Sequence, residues 1–244
     1  MQNKRGSHVG MILSFVIFVT FIVFLYGVIK PMVNTGEDKK TILKEVETSV
    51  IKNISANFTS TSISISSANN PSESCVSILG LLLIPELTPP YIKVKNSDGV
   101  LQPNVYYQEQ SPTLIIDRTS QSDAFFKVYS SPEWDLIDIN SGDGCASVED
   151  ANYQIGTIRV NKYAFEKNIE DLKKEYENHY EELKTNLNIP VGNEFGFSFR
   201  LTNGTKIETT SSLKSANVYA DETPVQYIDS DANIQSGFLT IKVW

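Results

Sequence analysis

The stretch "KRGSHVGMILSFVIFVTFIVFLYGVIK", residues 4–30, contains 21 consecutive uncharged residues between Val9 and Ile29. At about 1.5 Å per residue, a helix of that length is roughly 30 Å long, which matches the hydrocarbon core of a bilayer. A secretory signal has an apolar region of about 7–15 residues and a small-x-small cleavage motif. This run is longer and no such motif follows it, so we expect residues 9–29 to remain in the mature protein as a transmembrane helix.

The remainder of the chain is acidic. Residues 31–244 contain 18 of the 21 basic residues and all 29 acidic residues, which gives a net charge of −11. Nucleic-acid-binding proteins need a basic face, so this charge predicts no nucleic-acid partner. It also disfavours adhesion to anionic lipid, and we expect contact with the bilayer only through residues 9–29.

The sequence divides into four predicted parts: a cytoplasmic tail over 1–8, a transmembrane helix over 9–29, an amphipathic helical stalk over 31–56, and an α+β domain over 57–244.

The charges beside the span do not decide its orientation. Lys4 and Arg5 precede it, and four lysines follow it: Lys30, Lys39, Lys40 and Lys44. Large domains cross a membrane largely regardless of such charges. The short tail and the large acidic domain favour a single-pass protein of the cell membrane, with its C-terminal domain outside.

The predicted stalk begins after a proline. Pro31 follows the apolar run directly and should end or kink the first helix. A second helix is indicated beyond it, with Asn34 or Thr35 as its cap. Its apolar residues recur at every fourth position: Ile42, Val46, Val50 and Ile54.

The domain combines short strand-like segments with one long amphipathic helix. The helix is predicted over residues 161–190, with Asn161 as its cap and Pro190 as its stop. Its apolar and aromatic residues step by three and four: Phe165, Ile169, Leu172, Tyr176, Tyr180, Leu183 and Leu187. The Asn203-Gly204 pair predicts a hairpin with a type I′ turn, and residues 225–244 read as two strands around an Asp-rich loop. The pattern indicates a mainly antiparallel α+β domain.

Two cysteines, Cys75 and Cys145, form the only pair available. In an oxidising compartment they could close a loop of about 70 residues, worth roughly 4 kcal/mol in the chain-entropy treatment. Two buried free thiols are the alternative.

Candidate glycosylation sequons occur at Asn53, Asn57 and Asn203, and about three are expected by chance from the composition.

Nothing in the sequence indicates catalysis or a cofactor. Of the two histidines, His8 lies at the membrane edge and His179 lies among glutamates in the predicted helix. No nucleophile or phosphate-loop motif is present.

A weak calcium candidate places Asp138, Asn140 and Glu149 at positions 1, 3 and 12 of a calcium loop. The residues at positions 5 and 6 depart from that pattern, which favours a plain acidic turn.

Small residues stand four apart in the apolar run, at Gly6, Gly10 and Ser14. They share one helix face, on which another helix could approach closely. Such residues are also common in spanning helices that do not associate, so both interpretations stay open.

The segment "NKRG" followed by a long apolar helix resembles the class III signal of archaeal type IV pilin-like proteins. The resemblance covers about 30 residues and implies peptidase cleavage between Gly6 and Ser7, after which the helix packs with its copies into a filament core. That family often has Glu at the fifth mature position, where this chain has Met11. Segments such as "PVGNEFGFSF" and "GFLTIKVW" also look like those of uncharacterised archaeal membrane-anchored proteins.

Three functions follow as hypotheses. The first is a surface structural component, pilin-like or otherwise, that self-assembles through its N-terminal helix. The second is a membrane-tethered module that binds an unknown protein partner through the helix over 162–187 or through a sheet edge. An exposed stripe of Tyr176, Tyr180 and Leu183 would favour it. The third is a membrane-bound hydrolase, which would need a deep pocket with two carboxyl groups of raised pKa.

Overall fold

The chain forms one long N-terminal helix followed by a mainly β domain. The computed structural model describes residues 6–66, 71–87, 90–108, 111–210 and 217–244, with side chains given for the first helix only at residues 10–28 and from residue 39 onward.

Helix α1 spans Gly6–Ile54, 49 residues without interruption. The helix therefore does not end at Pro31, and no separate second helix begins near Asn34. An interior proline costs about 3 kcal/mol. That local cost is opposed by cooperative propagation from the helix on both sides and by the packing of its last turns. Ser55 and Ala56, assigned to the helical stalk from the sequence, begin the first strand.

Fourteen strands and two further helices follow within the described residues. In chain order they are β1 (Ser55–Ile65), β2 (Cys75–Ile78), β3 (Ile92–Asn96), β4 (Val105–Gln108), β5 (Thr113–Asp117), β6 (Phe125–Ser130), β7 (Asp138–Ile139), β8 (Ala146–Val148), β9 (Tyr153–Ile155), β10 (Arg159–Phe165), α2 (Glu166–Asn178), α3 (Tyr180–Asn186), β11 (Phe195–Arg200), β12 (Lys206–Glu208), β13 (Tyr219–Ile228) and β14 (Ile234–Val243).

The strands form two sheets. The larger has the order β12-β11-β14-β13-β10-β1-β6-β3, with β9 also paired to β1, and the smaller has the order β7-β4-β5-β2-β8. The larger sheet is antiparallel except between β10 and β13, which pair in parallel only at Ala164↔Tyr227 and Phe165↔Ile228. This two-residue contact joins its two halves.

The last turns of α1 belong to the main hydrophobic core. The apolar residues at every fourth position point inward, and Val46, Val50 and Ile54 are at most 1% exposed. They pack with residues of α2, α3, β11, β13 and β14. The four-residue spacing places them on one helix face, so the sheet covers that face along its length.

Two smaller cores complete the domain. One lies between the smaller sheet and strands β1, β3 and β6. The other is an aromatic cluster at the junction of the larger sheet, where Phe58 packs against Tyr129 at 5.4 Å and Trp134 at 6.0 Å between ring centroids. Phe165 and Ile228 from the β10–β13 contact are buried in the same cluster.

The single long helix predicted over 161–190 is wrong in extent. Its first residues belong to β10, because the backbone of residues 159–164 pairs with β1 and Phe165 pairs with Ile228 of β13. The remainder is divided at His179, whose φ of −137° is not helical. The amphipathic pattern itself holds, since Ile169, Leu172 and Leu183 are buried.

The predicted hairpin at Asn203-Gly204 is present between β11 and β12. Its turn differs from the predicted type, which would require positive φ at both central residues. Only Gly204 has positive φ, 85°, and its N–H donates to the carbonyl of Leu201. This is the arrangement of a type I turn followed by a glycine bulge, which the Asn-Gly pair also suits.

Replacement of Ile54 by alanine should destabilise the whole domain, because it opens a cavity where α1 meets the core. We expect a loss of about 2–5 kcal/mol in the free energy of unfolding, measured by urea titration of the detergent-solubilised chain. Lys52→Ala, an exposed change in the same helical turn, should stay within about 0.5 kcal/mol of the wild type. Equal effects of the two substitutions would contradict the placement of α1.

Candidate functional site

The N-terminal half of α1 is an exposed apolar surface. No part of the segment Gly10–Val28 is buried, its mean hydropathy is 2.7, and it is the one described helix that is long and apolar enough to cross a membrane. Its phenylalanine side chains are exposed: Phe15 and Phe24 are each 66% exposed. A contiguous apolar surface of this size indicates an apolar environment outside the chain itself.

The hydroxyl group of Thr20, within this segment, is satisfied locally. The Thr20 hydroxyl bonds to the carbonyls of Val16 and Ile17 at 3.0 and 2.9 Å. A hydroxyl with such a partner can enter hydrocarbon at little cost, whereas an unpaired one costs several kcal/mol.

The small residues predicted to form a packing face lie on this exposed helix. A Cβ placed on Gly10 would meet nothing within 4 Å, and Ser14 is exposed one turn later. Gly6 and Ser7, the candidate processing site, lie in the first turn of α1, outside the residues whose side chains are described. The face formed by Gly10 and Ser14 is therefore open to another helix.

Cys75 and Cys145 form a disulfide. Of the two alternatives left open by the sequence, the structure therefore has the bonded pair and not two free thiols. Their Cα atoms are 4.9 Å apart across a sequence separation of 70. The bond lies one residue beyond the parallel pairing of β2 with β8, where Val76 opposes Ala146. It therefore links β2 covalently to the residue that precedes β8. Cross-linking a loop of this length stabilises the fold by roughly 4 kcal/mol in the chain-entropy treatment.

The three sequon asparagines occupy different kinds of structure. Asn53 lies in the last turn of α1, Asn57 on β1 and Asn203 in the β11–β12 turn, and all three are exposed. Each of them is accessible to a modifying enzyme, and their glycosylation stays a prediction.

The calcium candidate residues do not converge on one point. Asp138 lies in β7 and Glu149 directly precedes a short 3-10 turn, whereas the Asn140 side-chain oxygen accepts the N–H of Gly142 at 2.9 Å. Across the described residues, no group of three or more His, Cys, Asp or Glu side chains could hold a metal ion. The segment is an acidic loop organised by its own hydrogen bonds.

The Asp-rich loop between β13 and β14 is organised around one carboxylate. Asp229 accepts the backbone N–H groups of Asp231 and Asn233 at 2.9 and 2.8 Å, and the side-chain amides of Asn233 and Gln235 at 3.0 and 3.3 Å. Burial alone would raise the pKa of Asp229, but these hydrogen bonds to its ionised form lower it below the ordinary value.

Two lysines of β3 hold this loop against the rest of the domain. Lys95 is buried and donates to the Asn233 side-chain oxygen at 2.5 Å, and Lys93 donates to the carbonyl of Ser230. Burial lowers the pKa of both lysines, although the nearby aspartates oppose this shift. The ammonium groups of Lys93 and Lys95 thus supply positive charge beside this loop.

A cleft of about 560 Å³ opens beside this loop, between β3, residues 133–138 and the start of α2. Its apolar lining includes Ile92, Val94, Leu101, Val105, Trp134 and Phe165. Its charged lining consists of Lys93, Lys167, Glu133, Asp135, Asp138, Glu166, Glu170 and Asp229. From the sequence, Asp138 is a weak calcium candidate or a turn residue, and Asp229 is part of an Asp-rich loop. The cleft itself has no local signal in the sequence, because its walls come from segments that are distant along the chain.

Neither cleft lysine neutralises a cleft carboxylate by direct contact. Lys93 lies 5.2 Å from the centre of the Trp134 ring, and Lys167 donates to the backbone carbonyl of Glu133 at 3.1 Å. Burial raises the pKa of Glu166, as do the charges of Glu170 and Asp229. Negative charge is therefore in excess at this cleft.

The hydrolase hypothesis requires two carboxyl groups of raised pKa in one pocket, and it stays a hypothesis. Of the cleft carboxyl groups with a resolved pKa shift, the pKa of Glu166 is raised and that of Asp229 is lowered. Both Asp229 oxygens are occupied by the N–H groups of its own turn, so this carboxylate maintains the turn.

The stripe predicted as a binding surface is packed into the domain. Tyr176 is 8% exposed and donates to the carbonyl of Phe195 at 2.8 Å, and Leu183 is fully buried. Tyr180 donates to the Glu194 carboxylate at 2.5 Å, and Lys184 lies 2.9 Å from the same group. These residues anchor α2 and α3 to β11.

No protein-family model matches the chain, and neither the curated proteins nor the solved structures contain a match to it. The resemblance to archaeal type IV pilin-like proteins therefore rests on the first 30 residues.

Replacement of Asp229 by asparagine should change the acid dependence of stability. The lowered pKa means that the Asp229 carboxylate stabilises the fold above its unfolded pKa, near 4, and that this contribution disappears as the pH falls. We expect Asp229→Asn to lose about 1–3 kcal/mol at pH 7 and progressively less below pH 4, measured as urea midpoints across pH. Asp98→Asn, at an exposed turn, is the matched control. A difference that does not vary with pH would contradict this role for the Asp229 charge.

Proposed function

We propose that the chain is a single-pass membrane protein that holds its β domain outside the cell, and that it serves as a pilin-like structural subunit of the cell surface. The observation that carries this proposal is the division of α1 into two halves with opposite surroundings. Residues 10–28 are exposed and apolar, whereas the face of residues 43–54 is buried in the domain.

The unbroken helix supports a mechanical role. About ten residues, 29–38, connect the apolar segment to the domain, and as part of α1 they span roughly 15 Å. A helical connection transmits force and fixes orientation, whereas a flexible linker lets a domain rotate independently. Rigid attachment suits a subunit whose domain must take a defined position among its neighbours.

The disulfide supports the outer side of the membrane for the domain. Disulfides persist in oxidising compartments and are rare in the cytosol. The Cys75–Cys145 bond lies within the β domain, so that domain is expected in the oxidising compartment. The exposed sequon asparagines are compatible with this location.

The exposed half of α1 also supports self-assembly. In a bilayer its apolar side chains contact lipid, and outside a bilayer they need an equivalent apolar surface, which copies of the same helix can provide. Gly10 and Ser14 would allow those helices to approach closely. Met11 stands where the pilin family often has Glu, so assembly would depend on apolar packing rather than on a charge at that position.

Membrane anchoring should depend on the apolar character of α1. We expect the native protein in the membrane fraction, released by detergent but not by alkaline carbonate. The double substitution Ile17→Arg and Phe21→Arg costs roughly 5–7 kcal/mol of insertion free energy and should move the chain to the aqueous fraction. Thr48→Arg, on the exposed face of the same helix within the domain, should leave fractionation unchanged. Recovery of the native chain from the aqueous fraction without its first thirty residues would contradict the proposal.

Thiol labelling of the same protein in intact cells tests on which side of the membrane the β domain lies. A membrane-impermeant maleimide should label Cys75 and Cys145 only after treatment with an impermeant reductant. Labelling that requires cell lysis would place the domain inside.

The pilin-like part makes a separate prediction about processing and assembly. Sequencing of the protein from native membranes should find Ser7 as its first residue, and filaments sheared from cells should contain the chain. Enlarging the packing face with Gly10→Ile should abolish filaments, while Gly27→Ile, on another face of the same helix, should not. An intact Met1 together with an absence of filaments would leave only a membrane anchor.

A further inference from the structure

The anchoring and assembly proposed for α1 do not use the cleft beside the β13–β14 loop. We propose that it binds an elongated organic cation, with amino or guanidino groups carried on an alkyl body. The proposal is independent of the membrane orientation, because every residue that carries it lies within the β domain.

The size and floor of the cleft fit a small ligand. Its volume of about 560 Å³ lies within the range typical of small-molecule sites. Ile92, Val94 and Phe165 are buried, and the apolar surface open to a ligand is formed by the partly exposed side chains of Leu101, Val105, Trp134 and Ile137. An alkyl chain placed on that surface would lose part of its contact with water.

The charge around this apolar surface determines the ligand class. Six carboxylates and two lysines line the cleft, a net charge of −4. The ion pairs found among the described residues include none of these six carboxylates: the pairs are Lys44–Glu47, Lys173–Glu177, Lys174–Asp171, Lys184–Glu181, Lys184–Glu194 and Arg200–Glu222. A cation is therefore the ligand whose charge complements the site.

Asp229 is set aside because its own turn occupies both of its oxygens. The other carboxylates come from two separate elements: residues 133–138 contribute three, and α2 contributes Glu166 and Glu170. An elongated ligand with an amino group at each end could meet carboxylates of two elements while its alkyl body lies on the apolar floor. This distribution favours a diamine or a longer polyamine over a compact ammonium ion.

Other ligand classes fit the same residues less well. A metal ion needs several converging oxygen ligands, and the described residues contain no such group of acidic side chains. Asp229 is committed to its turn by four hydrogen bonds. An anion would meet the net negative charge, and the α2 N-terminus, which would otherwise attract it, already has Glu166 in its first turn.

Trp134 provides a direct probe of the cleft. The chain has two tryptophans, Trp134 and Trp244, so Trp244→Phe leaves the cleft residue as the only tryptophan fluorophore. The full chain in detergent is titrated with 1,6-diaminohexane and, in parallel, with 1,6-hexanediol, which has the same chain length and no charge. We expect a saturable change in Trp134 fluorescence with the diamine, at least tenfold weaker binding of the diol, and weaker diamine binding at high salt.

Removal of two cleft charges tests the site. Glu166→Gln with Glu170→Gln should weaken diamine binding at least tenfold, while Glu181→Gln with Glu182→Gln, the same charge change at two exposed positions of α3, should leave it within twofold. Unchanged near-ultraviolet circular dichroism would show that each variant is folded. An equal response to diol and diamine, no response to either, or equal affinity in the two double variants would overturn the proposal. None of these outcomes depends on membrane anchoring or filament formation.

Discussion

Burial of one face of α1 against the larger sheet is the interaction on which the rest of the structure depends. Val46, Val50 and Ile54 occupy the centre of the main core, so the sheet and the helix cannot be separated without exposing both. The same helix continues to Gly6 without a break. Whatever environment holds the apolar N-terminal half therefore also positions the domain.

The domain has a second constraint at the junction of its two halves. Strands β10 and β13 share only two residue pairs, and the junction is reinforced by the aromatic cluster around Phe58 and by the lysines of β3 that hold the β13–β14 loop. Lys95 and Asn233 form one of these links. The cleft opens at this junction, where only two residue pairs join the two halves of the larger sheet.

The two surfaces with functional character are chemically different. The exposed half of α1 is apolar and uncharged, and it suits lipid or copies of itself. The cleft combines an apolar floor with excess negative charge, and it suits a cation. The unbroken helix α1 connects the apolar segment to the domain that contains the cleft.

The sequence by itself determined the features that depend on neighbouring residues: the apolar run to Ile29, the four-residue repeat ending at Ile54, the single available cysteine pair, and the hairpin at Gly204. Only the tertiary structure decided that α1 continues through Pro31, that residues 159–165 form a strand, and that a cleft exists. Local patterns report the preferences of a segment alone. Continuation of a helix, recruitment of residues into a sheet and convergence of distant walls depend on packing free energies between segments far apart in the chain, which no local pattern contains.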